Sequence, residues 1–167
     1  ITEKIQDYFS IKKGDQGLTE EIIYNQQNNT GLPVYGGGEA LPRFRIDSGA
    51  ITKKSSSITV HNGPAIIVAM DGSSGAVRVI PSGSFVCNHH ASVLTLTNPK
   101  KKKIDLYFVA QQIEGGLRNL ASNKEGSATL TMDFLKDFIF EVSSNPADIK
   151  EISKRRKALS SVRDRLF

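Results

Sequence analysis

The clearest alternation of apolar and polar positions lies in the middle of the chain. Three apolar runs, Ala65–Met70, Ala76–Ile80 and Ala91–Leu96, are separated by segments rich in Gly, Ser, Asp and Pro. Short β-branched runs bounded by such turn residues are typical of strands. The pattern therefore predicts an antiparallel sheet over Ala65–Leu96, with polar loops at its ends.

Weaker signals precede this sheet. Short extended or alternating runs predict strands at Tyr8–Lys12, Leu32–Tyr35, Phe44–Asp47 and Ser57–His61. Asn62-Gly63 is a hairpin signal, expected to join the last of these runs to the strand from Ala65. Thr19 begins either a helical turn, as its N-cap, or a strand through Ile22 and Ile23. Asn25–Thr30 is predicted as a polar loop.

The C-terminal third predicts two long helices. Apolar residues at 106, 110, 113, 117 and 120 recur at helical spacing, so we expect a helix over Ile104–Ala121, broken or kinked near Gly115-Gly116. A helical turn at Thr131–Leu135 and a strand from Asp137 to Val142 follow. Pro146 opens a basic helix to Phe167, whose thin apolar seam (Ile152, Leu159 and Leu166) indicates that it lies against a second helix.

Together these elements predict an α+β fold, which is a mixed, mainly antiparallel β domain over residues 1–143 with a long C-terminal helix over residues 144–167.

The composition indicates which kind of partner to expect. The 167 residues carry a formal net charge of +5 and a pI of about 9.4, which favours an anionic partner. The single cysteine, Cys87, excludes an internal disulfide, and we expect a cytoplasmic protein without a membrane segment.

Catalytic motifs are missing from the sequence. The Gly72-Ser73-Ser74-Gly75 turn lacks the spacing and the following helix of a nucleophile elbow, and no phosphate-binding GxxxxGK[ST] stretch occurs. His89 and His90 would point to opposite faces of a strand, which does not suit one metal ion. We therefore expect no catalytic residue, no metal and no cofactor. The chain has the loops of a binding module.

Those loops hold basic residues that suit phosphates and side chains of the type that read base edges, namely Asn28, Asn29, Tyr35, Ser73, Ser74, Asn88, His89, Asn119 and Asn123. This chemistry favours DNA as the partner, with an ordinary solvated polar surface as the alternative. The candidate DNA contacts are Tyr35, Gly36, Gly37, Lys53, Lys54, Ser73, Ser74, Arg78, Asn88, His89, Arg118, Lys124 and Ser127.

The order of several motifs resembles the target recognition domain of type I restriction-modification specificity subunits. The segments that carry the resemblance are Phe9–Thr19, Leu32–Gly38, Ala65–Gly75, Phe85–Ala91, Ile104–Leu120, Gly126-Ser127, Leu135–Phe138 and the closing helix. Asp71 is a departure, because the family often has a basic residue there. The resemblance implies a non-catalytic domain that reads one half of a bipartite site in the major groove of double-stranded DNA.

The resemblance also implies partners. Methylation subunits would dock on the closing helix, which would act as a spacer and as a surface for self-pairing or for a second recognition domain. N6-adenine methylation and DNA cleavage would be carried out by partner subunits. Three alternatives stay open: the recognition domain of a fused type II restriction-methylation enzyme, a β-domain for a ligand other than DNA, and a pure oligomerisation module.

Overall fold

The computed structural model describes residues 2–36, 44–71, 75–98, 104–122, 130–142 and 145–166. Within these ranges, two short helices lie among the first three strands, six more strands follow, and the last third of the chain is mostly helical. Their bounds are β1 (Thr2–Lys4), α1 (Ile5–Tyr8), β2 (Phe9–Lys13), α2 (Glu20–Asn25), β3 (Gln27–Tyr35), β4 (Arg45–Ile46), β5 (His61–Asn62), β6 (Ala65–Ala69), β7 (Val77–Ile80), β8 (Ser84–Cys87), β9 (Ala91–Leu96), α3 (Leu106–Ser122), α4 (Met132–Asp137), β10 (Ile139–Glu141) and α5 (Pro146–Leu166).

The predicted central sheet is present. Strands β2, β9, β6 and β7 form a four-stranded antiparallel sheet in that order. Ile66 and Val68 pack with α3 on one face, while Ala65 and Ile67 pack on the other face against residues of β8. Because both faces are covered, every residue of β6 is buried, and the strand appears in the sequence as an unbroken apolar run.

A second four-stranded sheet has the order β4, β3, β8, β5, with β3 and β8 parallel. Strand β8 lies between the predicted runs Ala76–Ile80 and Ala91–Leu96, in a segment for which the sequence predicted no strand. Its Phe85 and Cys87 face the first sheet, whereas Val86 belongs to a separate core with Leu18 and Ile46. The two sheets therefore pack face to face over a shared apolar layer.

The predicted hairpin at Asn62-Gly63 is wrong. His61 and Asn62 pair with Phe85 and Ser84 in the second sheet, and the Gly63 N–H donates to the Gly83 carbonyl at 2.8 Å. The chain thus changes sheets between β5 and β6. The strand predicted over Ser57–His61 is also wrong between its ends, because residues 58–60 pair with no strand.

The segment after Thr19 forms helix α2, and the Thr19 hydroxyl caps it by accepting from the Ile22 N–H at 3.3 Å. The loop predicted over Asn25–Thr30 is wrong from Gln27 onwards, where β3 begins. Its register with β4 shifts, because Gln27 and Leu32 both face Ile46. Residues 28–31 are therefore not paired with β4, and we call them the β3 bulge.

Helix α3 is continuous, so the break predicted near Gly115-Gly116 is wrong. A Cβ at Gly116 would lie 2.5 Å from the Phe138 ring, whereas none would touch anything at Gly115. Gly116 therefore serves close packing. The predicted elements after α3 are present as α4 and β10, and β10 pairs with β1 at the start of the chain.

Helix α5 packs against α3, as expected, but the predicted apolar seam is wrong at Leu159, which is exposed, and the buried contact is made by an arginine. The Arg156 guanidinium donates to both carboxylate oxygens of Glu114 on α3, at 2.7 and 3.2 Å, and to the Val77 carbonyl at 2.6 Å. The Val77 N–H donates to Glu114 Oε2 at 2.8 Å. The ion pair thus satisfies the N–H and the carbonyl of Val77, the first residue of β7, which is the edge strand of the first sheet.

The charges of this pair are compensated. Burial alone would raise the pKa of Glu114, but hydrogen bonds from Arg156 and the Val77 N–H, together with the nearby Arg156 and Arg118 charges, lower it below the ordinary value. Beyond Arg156, Leu159 and Val162 remain exposed on α5.

The α+β fold class is confirmed, and the division of the chain at residues 143 and 144 stays a prediction. In the described part of the chain, no helix is long and apolar enough to cross a membrane.

Candidate nucleic-acid interface

Tyr35, Gly36 and Asn88 meet where the parallel strands β3 and β8 end. The Asn88 N–H donates to the Tyr35 carbonyl at 2.9 Å. A Cβ on Gly36 would lie 2.8 Å from the Asn88 side-chain oxygen, so the glycine permits a close approach of the two segments. Asn88 itself is buried. Three of the predicted positions are therefore held together by backbone geometry.

The residues after β2 also contact the end of β8. The Asp15 N–H donates to the Cys87 carbonyl at 2.8 Å, and the Gly14 N–H donates to the Ala91 carbonyl at 2.9 Å. A Cβ on Gly14 would lie 1.8 Å from the Asn88 carbonyl oxygen, so no other residue fits without a backbone shift. Gly14 was not among the predicted site residues.

Arg78 lies on the face of β7 that looks toward the second sheet. Its guanidinium carbon is 5.5 Å from the centre of the Tyr35 ring, in the geometry of a cation–π contact. The Tyr35 ring in turn packs edge-on against Phe85 at 5.8 Å between centres. The aromatic contact therefore orients a cation and a phenol that are both partly exposed.

His89 and His90 follow Asn88 in a turn rather than on a strand. Their rings are 4.0 Å apart between centres, so the expectation that they point to opposite faces is wrong. The His90 N–H donates to the Asn88 side-chain oxygen at 3.1 Å, and the His90 ring contacts the Asp71 carboxylate at 2.5 Å. Asp71, the acid that departs from the family pattern, is therefore engaged within the protein.

Burial lowers the pKa of His89, and the neighbouring His90 lowers it further; Asp71 acts in the opposite direction, and Lys13 adds to the lowering. His89 is thus favoured as a neutral ring. Its Nδ1 is buried without a hydrogen-bond partner in the part of the chain that the structure describes. Lys13, at the end of β2, is a further cation beside this cluster that sequence reasoning did not select.

Lys53 and Lys54 are exposed in a turn beyond the Gly14–Gly17 segment, and the Lys53 N–H donates to the Gly17 carbonyl at 2.9 Å. The Gly14–Gly17 segment therefore links the lysines to Asn88. Arg118 is exposed on α3, 3.8 Å from Glu114, and its backbone nitrogen lies beside Gly75, which precedes β7.

The structure brings together five predicted positions, connects two more to them by local contacts, places Arg118 apart from them beside Gly75, and leaves the others unplaced. The five are Tyr35, Gly36, Arg78, Asn88 and His89. The connected ones are Lys53 and Lys54. Gly37, Ser73, Ser74, Lys124 and Ser127 lie outside the described residues. Contact of any of these residues with DNA stays a prediction.

A polar cleft of about 690 Å³ lies beside the β3 bulge and was not predicted as a unit. Its lining is made of amide side chains, one carboxylate and two small residues, namely Gln26, Gln27, Asn28, Asn29, Asp47, Gly49 and Ala50. The amides at positions 26–29 lie within Asn25–Thr30, which the sequence predicts as a polar loop. Among the described residues, no three metal-ligating side chains come together.

Comparison with known proteins identifies the family. The family model described as type I restriction modification DNA specificity domain matches residues 2–161. The chain belongs to this family. The match confirms the resemblance carried by the ordered motifs. Comparison with the curated proteins gave no significant match.

Solved structures show the same fold. An S subunit of a type I restriction-modification system from M. genitalium is similar with a TM-score of 0.64 and 21% identity, over 96% of this chain and 39% of that one. The HsdS subunit from Thermoanaerobacter tengcongensis is similar with a TM-score of 0.62 and 13% identity, over 99% and 39%. The specificity domain described here thus spans about two fifths of these chains.

Proposed function

We propose that this specificity domain recognises a particular double-stranded DNA sequence on behalf of a type I restriction-modification complex. The match of residues 2–161 to the DNA specificity family carries the proposal. The net charge of +5, the partly exposed Arg78 beside Tyr35 and the exposed Lys53 and Lys54 support it. In such an interface cations position the phosphate backbone, while amides, hydroxyls and rings contact the base edges.

The domain itself performs no chemistry in this proposal. N6-adenine methylation and cleavage are carried out by partner subunits, and a methylation subunit docks on the specificity protein. Because the domain spans about two fifths of similar S subunits, a second recognition unit completes the site. The exposed Leu159 and Val162 on α5 support pairing through that helix, in a second copy or in a longer protein. A cytoplasmic location follows from this partner set.

The test is selection of bound duplexes from a random pool at moderate salt. We expect one sequence word to be enriched, because a family of DNA specificity domains discriminates bases and not only charge. Failure to enrich any word over repeated rounds would overturn the proposal for this chain. That outcome would favour the ligand-binding β-domain that the sequence left open.

The basic turn permits a sharper test with a matched control. Replacing Lys53 and Lys54 with alanine should weaken binding to all duplexes alike, and should reduce the slope of log K against log salt by about 1 for each lysine that contacts a phosphate. The control replaces Lys154 and Lys157, two exposed lysines on α5. Equal effects of the two pairs would show that only net charge matters.

A further inference from the structure

Hydrogen bonds between glutamine side chains and the backbone hold one side of the cleft beside the β3 bulge in place. Gln26 bridges the backbone of Ile51, accepting from its N–H at 3.0 Å and donating to its carbonyl at 2.7 Å. Gln27 donates to the Tyr24 carbonyl at 2.9 Å. These two amides are therefore used to hold the protein, and they fix the turn after Ala50 against the start of β3.

The bulge is also held in shape from within. The Asn28 side-chain oxygen accepts from the Thr30 N–H at 3.0 Å and from the Thr30 hydroxyl at 2.9 Å. The Asn28 amide nitrogen is 3.3 Å from Asp47 Oδ2. A Cβ on Gly31 would lie 2.2 Å from the Ile46 carbonyl oxygen, so only glycine lets the bulge return to β4.

Asn29 differs from the other amides of the cleft. It is exposed, and within the described residues its side chain makes no hydrogen bond, although Asn28 and Thr30 on either side of it are fixed. Its carboxamide donor and acceptor are thus both available at the edge of the cleft. A rigid backbone that presents a free amide has the preorganisation that specific binding requires.

The surroundings of Asn29 favour base edges over phosphates. The Asp47 carboxylate lines the cleft and accepts from the Gly49 N–H at 2.7 Å, so a phosphate entering the cleft would meet a negative charge. Tyr24 and Ile51 near the cleft are 64% and 47% exposed, and exposed apolar surface of this kind suits thymine methyl groups. Lys53 and Lys54 follow Ile51 and can hold the backbone outside the cleft.

We propose that Asn29, presented by the β3 bulge, is a specificity-determining residue that reads an adenine in the major groove. A carboxamide matches adenine because it donates to N7 and accepts from the N6 amino group. Asn28 is the positioning residue that fixes the bulge. This inference deepens the proposed function and rests on it.

The experiment compares the enriched word of the wild-type chain with that of Asn29→Ala. We expect the variant to lose its preference for adenine at one position by roughly 5- to 150-fold, with the other positions unchanged. Asn28→Ala should relax the same position, since it frees the bulge. The control is Gln6→Ala, an exposed amide on α1 whose side chain contacts Asp137.

Modified DNA then tests the contact itself. Replacing the selected adenine by 7-deazaadenine removes the N7 acceptor, and should cost the wild-type chain roughly 2- to 10-fold in affinity. The same DNA should cost Asn29→Ala nothing further. This pairing separates base contact from a general effect of the variant, and circular dichroism verifies that Asn29→Ala and Asn28→Ala remain folded.

The outcomes separate the two proposals. If the wild type enriches a word and Asn29→Ala leaves every position unchanged, the inference fails while the proposed function stands. Weaker binding to all duplexes alike also overturns the inference, because it indicates a phosphate contact. If the wild type enriches no word, the proposed function itself fails.

Discussion

Arg156 and Arg155 are neighbours in the sequence with opposite surroundings. Arg155 is exposed and pairs with Glu151 one turn away at 3.0 Å, whereas Arg156 is 3% exposed and pairs with Glu114 on another helix. Both belong to a basic run that the sequence assigns to a solvated helix face. The buried role of Arg156 was not predictable, because its partner lies 42 residues away and meets it only in the folded chain.

The two arginines therefore make a matched pair. Arg156→Ala should lower the free energy of unfolding by about 3–5 kcal/mol, because it leaves the Glu114 carboxylate and the Val77 carbonyl without their partner. Arg155→Ala should change it by no more than about 0.5 kcal/mol. Urea unfolding followed by circular dichroism measures both. Equal losses would mean that the ion pair across α5 and α3 does not stabilise the fold.

At the scale of elements, α3 shows how a local rule is overruled by packing. Two adjacent glycines disfavour a helix, yet α3 passes through Gly115 and Gly116 without interruption. The apolar spacing that predicted the helix reflects its buried face, with Ile113 and Leu117 in the core. The predicted break at the two glycines is wrong. Gly116 makes room for the Phe138 ring, and this contact cannot be read from the local sequence.

These glycines give the second matched pair. Gly115→Ala should stabilise the protein by up to about 1 kcal/mol, because alanine is the better helix former and a Cβ there meets nothing. Gly116→Ala gains the same helix propensity but crowds the Phe138 ring, and overpacking costs about 1–3 kcal/mol. Thermal unfolding should thus place Gly115→Ala above the wild type and Gly116→Ala below Gly115→Ala. The reverse order would contradict the packing argument.

Some of the strands could be predicted from the sequence, and others could not. The runs at β6, β7 and β9 were predictable, since buried strands are mainly apolar; β6, covered on both faces, is apolar throughout. The Asn62-Gly63 hairpin was not, because the turn signal is local whereas β5 pairs with β8, more than 20 residues away. In the candidate site, residue type suggested Tyr35 and Asn88, but the Gly14 contact that joins them to β2 depends on tertiary structure.

At the scale of the whole molecule, α5 is part of the packing at the edge of the first sheet, whether or not it also acts as a spacer. Arg156 covers the outward edge of β7 at Val77 together with Glu114, and an uncovered edge strand invites pairing with another chain. Removing all of α5 would therefore disturb the recognition domain as well as any assembly through the helix. A truncation that isolates the assembly function must keep the first part of α5.

The last prediction follows from that geometry. A chain ending at residue 160 keeps Arg156, and also Ser160, whose hydroxyl contacts the Arg156 carbonyl at 3.1 Å. It should melt close to the full chain and retain DNA binding, while losing Val162 and the turn beyond it. A chain ending at residue 145 loses Arg156 and all packing of α5 on α3, and should melt below the full chain by roughly 2–4 °C for each kcal/mol lost.

Light scattering supplies the second readout for the same two chains. The chain ending at 145 should self-associate through the uncovered edge of β7, whereas the chain ending at 160 should not gain any new association. The full chain carrying Arg156→Ala controls for length, because it keeps α5 but lacks the ion pair. If the chain ending at 145 matches the full chain in melting temperature and in size, α5 contributes nothing to the sheet, and its role is confined to contacts with partners.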